Sequence, residues 1–162
     1  MINIYIALLV MTAYVVGVCV FIRKIPNSLS QSVLAMPPWG RYLWMAVMMS
    51  VAFLLEPVFI MKSSDNTQFL AYFACAGLLF VGAAPLVPGV HKDDSSYPVH
   101  MVGAYVAAIA SQLDIAINQP PFMLLWLPVL GVLAWHWHQK WSTAVFWGEI
   151  TCLIISFMFC MY

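Results

Sequence analysis

From Ile2 to Ile22 the chain carries no charged side chain. A helix rises about 1.5 Å per residue, so roughly 20 apolar residues cross a hydrocarbon layer about 30 Å thick while satisfying their backbone hydrogen bonds internally. Five further stretches obey the same arithmetic: Arg41–Met61, Gln68–Val90, Val99–Ile117, Phe122–Trp137 and Ser142–Tyr162. They occupy nearly all of the 162 residues and leave no segment long enough for a separate soluble domain. The expected fold is all-α, one polytopic membrane bundle of six transmembrane helices spanning residues 1–162. The fifth stretch is short and contains Pro128, which makes it the weakest of the set. The first has no positive residue before it and no small-residue cleavage site after it, so it is expected to remain as a span.

Composition points the same way. The chain is 64% hydrophobic, against roughly 45–50% in soluble domains. Its formal net charge is zero and it has no basic patch, which argues against a nucleic-acid partner. Cys19, Cys75, Cys152 and Cys160 all fall inside apolar stretches without CxxC spacing and read as small buried residues.

Six spans put the loops after the first, third and fifth on one face. Arg23, Lys24, Arg41, Lys92 and Lys140 fall on that face and Lys62 on the other, so the positive-inside rule makes the odd loops cytoplasmic and both termini external. All four histidines share the odd-loop face: His91 and His100 bracket the third loop, and His136 and His138 end the fifth span. Asp65 stands alone opposite. Trp39, Trp44, Trp135, Trp137 and Trp141 read as an interfacial belt on the odd-loop face.

Ionisable residues inside spans are costly and mark functional candidates. Three qualify, Glu56, Asp114 and Glu149. Helical rise puts Glu149 roughly 10 Å below the odd-loop face, with Glu56 and Asp114 near the opposite ends of their helices, within reach of water. On the fourth span His100, Gly103, Ala107, Ser111 and Asp114 recur at helical spacing and form a small-residue stripe that faces inward. On the sixth, Ser142, Glu149, Cys152, Ser156 and Cys160 form a similar stripe, which aims Glu149 at the same interior, with His100, Arg23 or Lys24 as its expected partner. The first and third loops would form the mouth of a site anchored by His100 and Glu149, with Ser111 deeper along the stripe.

Two other chemistries compete. His91, Asp94, His100, His136 and His138 offer nitrogen and oxygen ligands of the kind zinc uses, and a metal-dependent intramembrane hydrolase would place them together. Ser96 and His100 make an SxxxH pair that superficially resembles the alkaline-ceramidase-related hydrolases, without their paired histidines on a final helix. An ion or proton transporter would use Glu56, Asp114 and Glu149 as stations. The plainer account of "HKDDSSYP" is a solvated turn, with capping oxygens and Pro98 in the first turn of the next helix. No nucleotide fingerprint, nucleophile elbow or HExxH motif occurs, and no cofactor is expected.

The segments "IPNSLSQS", "LLFVGAAPL", "VHMVGAYVA" and "FWGEI" give the chain a wider likeness. It resembles the six-helix membrane superfamily that includes the damage-regulated autophagy modulators, and within it small integral membrane proteins from Bacteroides-type bacteria and their phages. The matching positions are Val99, His100, Gly103, Ala104 and Glu149. The resemblance implies a six-helix fold, a multi-pass location in a bacterial inner membrane and a non-enzymatic role in binding or sensing a lipid or a partner helix. Eukaryotic members place the first loop on the non-cytoplasmic side, opposite to the charge count. Small-residue seams on spans three and four are compatible with a homo-oligomer as well as with packing inside one chain.

Overall fold

A computed structural model describes residues 2–84, 96–136 and 143–162. Among them all regular structure is helical: α1 (Ile2–Ile22), α2 (Gly40–Lys62), α3 (Gln68–Ala83), α4 (Ser96–Asn118), α5 (Trp126–His136) and α6 (Ala144–Met161). Two short 3-10 helices, Ser30–Ala35 and Pro120–Leu125, precede α2 and α5. Four of the helices, α1, α2, α4 and α6, are long and apolar enough to cross a membrane, and Gln68–Ala83 and Pro120–Val132 are shorter apolar segments.

The fifth expected span is therefore not one continuous helix. Proline lacks an N–H, and its ring crowds the carbonyl four residues back, so Pro128 disfavours one helix running on from Phe122, although the longer α2 accommodates Pro57 in its interior. Starting α5 afresh at Trp126 puts Pro128 in the first turn, where backbone N–H groups have no helical partner anyway. The third span also differs: its helix stops at Ala83, and residues 85–95 lie outside the described part.

Of all the helix pairs, α3 and α4 show the closest backbone approach at their glycines. A Cβ at Gly77 would stand 2.5 Å from the Ala107 nitrogen and 2.6 Å from the Gly103 carbonyl oxygen. One at Gly103 would meet Phe80 Cβ at 2.8 Å and the Gly77 carbonyl at 2.9 Å. The inward stripe on α4 is as expected, with His100, Gly103, Ala107, Ser111 and Asp114 all buried. This seam is used within one chain, so it is not a free surface for a second copy.

Polar bonds fix which helix ends meet. At one end Trp44 Nε1 donates to the Val81 carbonyl at 3.1 Å, His100 Nδ1 to the Ala84 carbonyl at 2.8 Å, and the Phe146 N–H to the Asn27 carbonyl at 3.0 Å. At the other, the Ser63 hydroxyl lies 2.5 Å from Asp114 Oδ2, and Asn118 Nδ2 donates to Asp114 Oδ1 and Thr67 Oγ1, both at 2.8 Å. Asp65, in the α2–α3 turn, sits at this second end, opposite His100.

The first loop is not a solvated connection. Leu29, Val33 and Met36 are buried in the core beside Ser28, Ser30 and Ser32, and the Tyr14 hydroxyl bonds Ser32 Oγ at 3.0 Å. The chain leaves α1 through Arg23 in the left-handed region, φ 52°, a conformation costing a non-glycine residue about 1–2 kcal/mol, and turns back into the bundle.

Candidate functional site

A cavity of about 360 Å³ runs between α4 and α6 and is partly open to the outside of the bundle. All three residues singled out in the sequence, His100, Ser111 and Glu149, line it. His100 and Ser111 are eleven positions apart on α4, so the cavity extends roughly 16 Å along that helix. His100 and Glu149 mark one end with Ser30, and Ser111 and Ser156 the other. Between them the wall is Met48, Leu55 and Phe59 from α2, Leu78 from α3, Ala104 and Ala108 from α4, and Leu153 from α6.

Each polar side chain at the first end is held by backbone. The helix α3 ends with carbonyls that no helical N–H can reach. Trp44 and His100 satisfy two of the carbonyls there, so the His100 ring is a cap as well as part of the wall. With Nδ1 donating to Ala84, Nε2 is the acceptor of the neutral ring. Glu149 does not pair with His100, Arg23 or Lys24 as the sequence suggested. Its Oε2 accepts the Leu29 N–H at 2.6 Å. The Phe146 N–H, an orphan donor in the first turn of α6, is satisfied by Asn27, so two bonds clamp the first loop to the start of α6. The first loop thus lines the cavity through Leu29 and Ser30 and is held by a main-chain donor no sequence pattern reveals, while the third loop, the other half of the expected mouth, lies outside the described residues.

Other expectations fare differently. Trp44 does not join an interfacial belt: it is 2% exposed, packs against Tyr14 in a tilted contact with ring centroids 5.5 Å apart, and lines the cavity. Trp39 is half exposed against Phe21, as a belt residue would be. Asp114 does not reach water. It is 0% exposed, faces the Ser63–Asn118 cluster and does not line the cavity. Glu56 is half-buried on α2 and also stays outside the wall. Cys75 and Cys152 are free thiols that line the cavity as small side chains, and Ser156 of the α6 stripe does too. Ser142, His91, Asp94 and His138 lie outside the described residues, as does the His136 side chain. Among the described residues no three His, Cys, Asp or Glu side chains are grouped as metal ligands.

No family model, curated protein or solved structure matches this chain. Two features of the site escaped the sequence reading. Trp126 closes the far end of the wall while its Nε1 donates to Gln112 Oε1 at 2.9 Å, and Gln112 Nε2 reaches the Cys152 carbonyl at 3.4 Å, joining α4, α5 and α6 below the cavity. The first loop carried a legible signal, Leu29, Val33 and Met36 at helical spacing among the serines.

Proposed function

We propose that this chain is a six-pass protein of a bacterial inner membrane, of the six-helix superfamily it resembles, and that it binds the tail of a single-chain, lipid-like amphiphile between α4 and α6 without transforming it. The observation that carries this reading is the placing of the imidazole and the carboxyl group of the wall, His100 and Glu149, at one end, with apolar side chains and only the small polar Ser111 and Ser156 beyond them. A volume of about 360 Å³ lies in the range of small-molecule sites, roughly 300–1,000 Å³. A length of roughly 16 Å matches one leaflet of a hydrocarbon layer about 30 Å thick, so a bound tail lies at the depth it occupies in the bilayer.

The test is photolabelling in lipid nanodiscs with a dodecyl amphiphile carrying a diazirine near its chain end. Adducts are expected on Leu55, Phe59 and Leu153. A Cβ on Gly148 meets nothing within 4 Å, so Gly148→Phe fills space at little cost to the fold and should remove those adducts. Labelling confined to the lipid-facing residues Phe53 and Ile154, unaltered by Gly148→Phe, overturns the reading.

Six passes require that residues 119–143 cross the membrane. In a background without native cysteines, single cysteines at Lys24 and Gln139 should react with an impermeant reagent from one side, and those at Asp65 and Gln119 from the other. Reaction of Gln139 together with Gln119 overturns the six-pass topology.

A further inference from the structure

The polar end of the cavity has a definite hydrogen-bonding sense. Glu149 contributes a carboxyl group whose Oε2 takes the Leu29 N–H at 2.6 Å and whose other oxygen receives no bond from a described residue. His100 spends its Nδ1–H on the Ala84 carbonyl at 2.8 Å, with the Val81 carbonyl also against the ring, and the tautomer that makes the Ala84 bond has Nε2 as its acceptor. The Ser30 hydroxyl is engaged with Ser28 at 3.1 Å. Among the described residues that line the cavity none is Lys or Arg. The end is rich in acceptors and poor in donors, and its acidic group is the Glu149 carboxyl, which a bound cation would hold ionised.

We infer that the amphiphile's head is an amine, an ammonium group that donates to Glu149 and His100, and not a carboxylate or phosphate. This rests on the proposed function above and adds the head-group class. An ammonium has three donors and no acceptor, so it complements two acceptors without displacing the Leu29 bond. A hydroxyl head has one donor and no charge. A carboxylate head would set acceptor against acceptor and like charge against like, with no cation in the wall to offset it.

The experiment compares dodecylamine, dodecanol and dodecanoic acid as competitors of the diazirine probe in nanodiscs, each counted by the amount partitioned into the membrane. Charge-assisted hydrogen bonds are roughly twice as strong as neutral ones, so dodecylamine is expected to compete about tenfold better than dodecanol, and dodecanoic acid less well than either. Glu149→Gln keeps an acceptor for the Leu29 N–H and should bring dodecylamine down to the level of dodecanol. Dodecanoic acid competing as well as dodecylamine on the wild-type protein overturns the inference whatever the variant does, and so does an amine preference that survives Glu149→Gln. In those outcomes the cavity adducts persist and the tail-binding reading stands. Loss of saturable cavity labelling for all three compounds sinks that reading instead.

Discussion

Gly77→Ala is expected to destabilise the bundle by roughly 3 kcal/mol, a large effect for one methyl group. The added Cβ would lie 2.5 Å from the Ala107 nitrogen and 2.6 Å from the Gly103 carbonyl oxygen. Both are backbone atoms of a helix, so neither gives way as a side-chain tip would. The two helices must separate, and the loss of dispersion contacts along α3 and α4 follows, in a setting where packing drives helix association. Separation also pulls Ala84 from His100 and dissolves the cap at the end of α3. Gly148→Ala and Gly131→Ala supply the contrast. Their new methyl groups meet nothing within 4 Å, and alanine is the better helix former by up to about 1 kcal/mol. Unfolding in mixed micelles of increasing SDS fraction should therefore move in opposite directions for the two classes. A Gly77→Ala protein as stable as the wild type would show that the α3–α4 approach is wider than described.

Asp114→Ala should cost about 2–4 kcal/mol, whereas Asp114→Asn should cost about 1 kcal/mol or less. The carboxyl group is 0% exposed and joins the Ser63 hydroxyl, 2.5 Å away, to Asn118 Nδ2 at 2.8 Å. Asn118 goes on to Thr67, and its Oδ1 accepts the Ser64 N–H at 3.1 Å, so the cluster ties the end of α4 to the α2–α3 turn. Alanine empties the centre of the cluster and strands buried donors. Asparagine fills the same volume, accepts from Asn118 through its oxygen and donates to Ser63 through its amide. The same SDS unfolding series reads both. Equal losses for Ala and Asn would mean that the charge, not the shape and bonding, holds this end together. Because the cluster is separate from the cavity, Asp114→Asn should leave the labelling of Leu55 and Leu153 unchanged, an outcome that sets it apart from Glu149→Gln.

That the chain is helical is already written in its runs of about 20 apolar residues, the length at which a helix satisfies its own backbone across a membrane. The inward face of α4 is legible there too, since small residues and His100 mark that stripe among larger apolar ones. The sequence also places His100 and Glu149 at one end of the bundle, and they line one cavity. The first helix shows where such reading stops. Ile4, Ala7, Met11, Tyr14 and Val18 face the core while Leu9, Val16 and Val20 face outward. Both faces are apolar, because a hydrocarbon exterior exerts no demand for polar residues, so the sequence carries no contrast to choose between them. That face, the break of the fifth span at Trp126, the burial of Trp44 and the partner of Glu149 emerge from packing in three dimensions. That partner is a main-chain N–H from a loop 120 positions away, and every residue but proline offers one, so side-chain chemistry cannot announce it.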